Sequence, residues 1–142
     1  MNKDPAEKKQ KDIQRRYLEY QMEEQQIRQL QQQLEKLEAQ TLEIAAVEQS
    51  IGDMAKAKQG AEVLVPVSGG IFFRANIKDN SSFLVNVGSG VVVKKDVEGT
   101  KQLIRDQATE MDKFKEQVVE QLAMHIARYQ EIEGELKKMV EE

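Results

Sequence analysis

From Glu62 to Asp96 the sequence reads EVLVPVSGGIFFRANIKDNSSFLVNVGSGVVVKKD, the one stretch whose apolar residues recur at every second position. Val63, Val65 and Val67 form the first set, and Ile71, Phe73, Ala75 and Ile77 the second. Phe83, Val85 and Val87 follow, then Val91 and Val93. A period of two puts each set on one face of a strand, so the spacing predicts four short strands. SerGlyGly at 68–70 and GlySerGly at 88–90 are Gly-containing hairpin connections, and LysAspAsnSerSer at 78–82 is a polar turn between the hairpins. A β-region this small is marginal alone, because its apolar face needs a cover and its edges need partners. The segments to either side are too charged to supply that cover. Other subunits are therefore expected to supply it, which makes residues 61–96 an assembly module. Its candidate oligomer interface is Val63, Val65, Val67, Ile71, Phe73, Phe83, Val85, Val87, Val91 and Val93.

The flanks carry a different period. In residues 1–60, Ile13, Tyr20, Ile27 and Leu34 recur every seven residues, and Leu30, Leu37, Ile44 and Ile51 follow three residues behind the same frame. This is the a/d pattern of a coiled coil. Thr41 and Glu48 interrupt the first series, while Arg16 and Glu23 occupy early positions of the second and are expected to weaken pairing there. Asp4 and Pro5 read as N-cap and first helical residue, and Gly60 as the stop after a helix reaching Gln59. About 50 residues at ~1.5 Å each predict a rod of roughly 75 Å. In residues 97–142 the stripe is Ile104, Met111, Phe114, Val118, Leu122, His125, Tyr129, Ile132, Leu136 and Met139. Two successive four-residue steps, 114 to 118 to 122, predict a stutter in the seam. Two long helices joined through hairpins are expected to fold back as an antiparallel coiled coil, an α+β architecture with both chain ends at the far tip. Ile13, Tyr17, Leu18, Leu136, Met139 and Val140 crowd that tip, and not all can enter a two-helix seam.

Composition narrows the chemistry. A net charge of -4 without a basic cluster is unsuited to phosphate backbones, so no nucleic acid partner is expected. No cysteine is present, so there is neither a disulfide framework nor thiol chemistry, as suits a reducing cytoplasm. The N-terminus lacks an apolar signal region and no run approaches the ~20 apolar residues of a membrane span. His125 is the single histidine, so a site of paired histidines cannot form within one chain, and its place in the stripe reads as a seam position. GSG at 88–90 lacks the further glycine and following helix of a phosphate loop, and no GK[ST] occurs. Asn80-Ser81-Ser82 reads as turn chemistry. No catalytic residue, cofactor or metal is expected, and the chain is not an enzyme.

Two heptad helices flanking two hairpins resemble the prefoldin family, and four strands instead of two resemble its alpha-class subunits. FLVNVGSGVVVKKD looks like the family's second hairpin, leading directly into the C-terminal helix, and EVLVPVSGGIFFRANI looks like its first. Val91 stands where the family often carries an aromatic residue. The resemblance covers essentially the whole chain. It implies a hexamer of two alpha and four beta subunits, a double β-barrel platform, and six coiled coils whose tips hold unfolded polypeptides. Those clients pass to a group II chaperonin without ATP. The alternative is a coiled-coil tether or scaffold subunit without client-holding activity, for which an unbroken seam toward one partner helix is expected.

Overall fold

The computed structural model describes residues 4–141. In chain order it contains helix α1 (Pro5–Lys56), strands β1 (Glu62–Ser68), β2 (Ile71–Asn76), β3 (Ser82–Gly88) and β4 (Val91–Asp96), and helix α2 (Val97–Glu141). Two long helices with two antiparallel hairpins between them in sequence is the predicted α+β architecture. Close contacts group the chain into two units, one running to Ala39 and resuming at Asp112, the other Gln40–Met111.

In the first unit α1 begins as its sequence dictates. The Asp4 carboxylate accepts the Ala6 N–H at 3.4 Å and the Asp4 carbonyl accepts the Lys8 N–H at 3.1 Å. Pro5 fills the position where a missing N–H costs nothing. Ile13, Arg16, Tyr20, Glu23, Ile27, Leu30, Leu34 and Leu37 are all buried or half-buried, matching the heptad reading residue for residue. The helices run antiparallel, because Arg16 meets Glu135, Tyr20 meets Tyr129 and Glu23 meets His125. Ile132 is fully enclosed at 0% exposure.

The predicted stutter is absent. Phe114 is 57% exposed, whereas Lys115 is half-buried and takes the seam position, followed by Val118, Leu122, His125, Tyr129, Ile132, Leu136 and Met139. The spacing through Met111, Lys115 and Val118 is then four and three, and the heptad runs unbroken. A lysine can fill such a place because its methylene stem covers apolar surface while its ammonium reaches water. Apolar character alone misassigned Phe114.

In the second unit Thr41, Ile44, Glu48 and Ile51 of α1 continue the buried or half-buried pattern, with Ile104, Ala108 and Met111 of α2. Glu48 pairs with Arg105 at 3.5 Å. Helix α1 ends at Lys56 and not at Gln59. The reason lies about 25 residues away in sequence: the Asn80 side-chain amide donates to the carbonyls of Met54, Ala55 and Ala57, at a helix end where the last carbonyls run short of in-helix donors. Gly60, at φ 85, then turns the chain. Its N–H donates to the Ile77 carbonyl at 2.7 Å, and the Ile77 N–H donates to the Ala61 carbonyl at 2.9 Å, prolonging the ladder below the first hairpin.

Each hairpin is a separate two-stranded sheet, β1 with β2 and β3 with β4. The connections are one residue shorter than predicted, because Ser68 and Gly88 still pair within their strands, with Ile71 and Val91. The turns proper are Gly69–Gly70, with φ 57 and 78, and Ser89–Gly90, with φ 53 and 74. Positive φ at both central residues is what a twisted two-residue hairpin requires. The surplus residue becomes a bulge at Val67 and at Val87. Helix α2 follows β4 at once: the Asp96 carboxylate accepts the Gly99 N–H at 2.7 Å as its N-cap.

Candidate functional site

Two surfaces separate by chemistry. The first is the pair of hairpins. Cross-strand pairs fix which side chains share a face: Val63 with Ala75 and Val65 with Phe73 in one sheet, Phe83 with Lys95 and Val85 with Val93 in the other. Val63, Val65, Phe83, Val85 and Val93 are half-buried, while Val67, Ile71, Phe73, Val87 and Val91 are exposed. The opposite faces are apolar as well. Leu64 opposes Arg74 and Phe72 opposes Pro66, while Leu84 opposes Lys94 and Val92 opposes Asn86. Leu64, Phe72, Leu84 and Val92 are all more than half exposed, Leu84 at 77%. Alternation alone passed over these four. The signal for them is in the unbroken runs Val63-Leu64-Val65, Ile71-Phe72-Phe73, Phe83-Leu84-Val85 and Val91-Val92-Val93, since continuous apolar runs belong to strands covered on both faces.

The second surface is the end of the coiled coil where α1 begins and α2 finishes. Ile13, Tyr17, Leu136 and Val140 line one open cleft together with Tyr20, Glu133, Lys137 and Glu141. Tyr17 is 53% exposed and Val140 71%. Four of the six tip residues singled out by sequence therefore come together. Leu18, also exposed, is not part of this cleft, and Met139 lines a different one with Asp12, Arg15, Arg16, Glu135 and Lys138.

Charged groups dominate the Arg16 side of the coil. Arg16 pairs with Glu19 at 2.9 Å and lies 3.0 Å from Glu135 Oε2, a contact with ion-pair but not hydrogen-bond geometry. Arg128 reaches Glu19 at 3.6 Å and Glu131 at 3.2 Å. Such half-exposed pairs each contribute at most ~1 kcal/mol. Linked across the two helices, they hold the register. Glu23 in turn meets His125 Nδ1 at 2.5 Å. The expected weakening at Arg16 and Glu23 is thus offset by cross-helix partners, and apolar exposure at this end comes from Tyr17, Leu18 and Val140 instead.

Between the two sides stand the tyrosines. Tyr20 and Tyr129 stack with ring centroids 4.3 Å apart and share a hydroxyl–hydroxyl hydrogen bond, and Tyr17 stacks on Tyr20 at 6.3 Å. The bond to Tyr129 chiefly, with desolvation and the nearby Glu133 and Glu24 carboxylates, pushes the Tyr20 phenol up from 10.0 to about 12. Among the described residues no group of three or more His, Cys, Asp or Glu side chains could hold a metal ion, and no helix is long and apolar enough to cross a membrane.

Comparison with known proteins places this architecture. Residues 6–142 match the family model for the prefoldin subunit. A prefoldin subunit alpha from Thermofilum pendens is 34% identical over 102 residues, spanning 70% of this chain and 78% of its own. That from Methanobrevibacter smithii is 29% identical over 113 residues, spanning 80% of this chain and 74% of its own. Among solved structures, the cryo-EM structure of filamentous PFD from Methanocaldococcus jannaschii matches with a TM-score of 0.73 at 18% identity, covering 81% of this chain and 95% of that one. That likeness establishes the shared fold. Taken with the near-complete family match and the alpha-subunit relatives, it means that the chain belongs to the prefoldin family, in its alpha class.

Proposed function

We propose that this chain is the alpha-type subunit of an ATP-independent holdase. It assembles through its hairpins with beta subunits, two alpha to four beta, and its coil ends capture non-native polypeptides for transfer to a group II chaperonin in the cytoplasm. The observation that carries the reading is the cleft of Ile13, Tyr17, Leu136 and Val140, apolar and open at the coil end. A tether has no use for Tyr17 and Val140, the two cleft residues that lie exposed outside its seam. Covering one exposed apolar side chain contributes about 1.5–3 kcal/mol, so one coil end holds a client weakly and several acting together hold it by avidity. Weak individual contacts also suit release without nucleotide.

The test removes residues 1–18 and 134–142 and asks two questions of the trimmed complex. Sedimentation should still find it assembled, and its suppression of aggregation of an unrelated unfolding protein should be crippled. Full protection by the trimmed complex would move the binding surface elsewhere, to the underside of the strand platform first.

A further inference from the structure

The chain has three tyrosines, no tryptophan and no cysteine. All three tyrosines lie in the one stack at the coil end: Tyr17 on Tyr20, and Tyr20 on Tyr129. The phenols are therefore the side chains of this protein that give up a single electron most readily, and they are gathered at one place. Their order matters. Tyr17 is exposed, while Tyr20 and Tyr129 are half-buried. Tyr20 and Tyr129 come from different helices, with rings 18° from parallel, centroids 4.3 Å apart and hydroxyls in hydrogen-bond contact. Parallel rings with adjacent hydroxyls also bring together the ring carbons ortho to oxygen, which carry much of the unpaired spin of a phenoxyl radical.

We propose that Tyr20 and Tyr129 form an oxidative cross-linking site, at which a one-electron oxidant of the peroxidase–hydrogen peroxide class joins the two rings and staples α1 to α2. Each phenol loses one electron to the oxidant and one proton to solvent. The two phenoxyl radicals couple by a carbon–carbon bond between ortho positions, and the two ring hydrogens there move to the oxygens, restoring both hydroxyls. The net loss is two electrons and two protons, which reduce one hydrogen peroxide to two waters. Tyr17 is the point of entry: an electron hole made on its exposed ring passes to Tyr20 across 6.3 Å. The shared hydrogen bond, in which either hydroxyl can donate, holds the two phenol oxygens together, in keeping with a Tyr20 phenol pushed up to about 12. The product ties the helices together at their client-facing end, so it bears on the proposed holdase while depending only on the coil geometry.

The experiment exposes the full chain to a peroxidase and hydrogen peroxide, then follows dityrosine fluorescence and maps the links by tandem mass spectrometry. The expected product is an intrachain bond between Tyr20 and Tyr129, two hydrogens lighter than the separate peptides, with a raised melting midpoint. Tyr17→Phe should keep that bond and form it more slowly. Tyr129→Phe, checked by circular dichroism for intact helices, should leave no intrachain bond between the helices. Products dominated by links between chains, by a Tyr17–Tyr129 bond, or by loss of the link in Tyr17→Phe would overturn the proposal. Because aggregation suppression is not the readout, failure of the holdase reading would leave this result standing, and the reverse.

Discussion

A hydroxyl pair inside a coiled coil is unusual chemistry for a seam, and Tyr20 shows what it does. The hydroxyl bond with Tyr129 chiefly, then desolvation and the nearby Glu133 and Glu24 carboxylates, disfavour a phenolate at Tyr20, so the folded state holds the proton to about 12 against 10.0 for a free tyrosine. The sign follows by linkage. The Tyr20 contribution to stability is complete below pH 10 and is lost as pH rises through 12. We predict that phenolate absorbance of the folded chain includes a component for Tyr20 titrating well above the ordinary tyrosine value, and that Tyr129→Phe brings that component back toward it. An unchanged titration in that variant would remove the hydrogen bond as the cause. At the acid end Asp79 has the opposite sign. Hydrogen bonds from the Ser81 side chain and backbone and from Ser82 hold its carboxyl below the usual range, so its contribution disappears as pH falls below that range. Neither partner set is visible as such in the sequence. Asp79 could be read as turn chemistry because its partners follow it directly, while Tyr20 and Tyr129 meet only through tertiary register.

The elements differ in how far their sequences disclose them. Helix α1 was legible along its whole seam because its apolar residues keep the seven-residue frame, and because the polar intruders Arg16 and Glu23 are found in the frame too, each with a partner on α2. Helix α2 misled at one place. Phe114 is apolar and one residue from the seam, and Lys115 is charged and in it. Side-chain type chose the first; backbone period chose the second. This makes a sharp comparison by thermal unfolding. Ile132→Ala, at a fully enclosed position, should cost about 2–5 kcal/mol, whereas Phe114→Ala should stay within ~0.5 kcal/mol. Comparable losses would restore Phe114 to the seam. The strands were placed correctly by alternation, yet alternation concealed their second apolar face, with Leu64, Phe72, Leu84 and Val92. The end of α1 was out of reach altogether, because the amide that caps it comes from Asn80.

At the scale of the whole molecule, the proposed function divides labour between hairpins that would assemble and coil ends that would bind. Both faces of both hairpins carry apolar side chains and, among the described residues, no further strand pairs with the outer edge of either hairpin, so a charge on a half-buried strand position should be intolerable once the cover is in place. We predict that Val65→Lys or Val85→Lys abolishes assembly with partner subunits while the helices persist by circular dichroism. Sedimentation of intact complexes by both variants would contradict the assignment of the hairpins. The central claim, that clients are held by the apolar cleft at the coil end, is tested most directly by Tyr17→Glu together with Val140→Glu. Both side chains are more than half exposed and neither belongs to the seam, so the coil and the hairpins should be untouched. Aggregation of an unrelated unfolding protein is then measured by light scattering in the presence of the assembled variant complex. The account predicts an intact assembly with most of its protection lost; a variant that protects as well as the parent would contradict it.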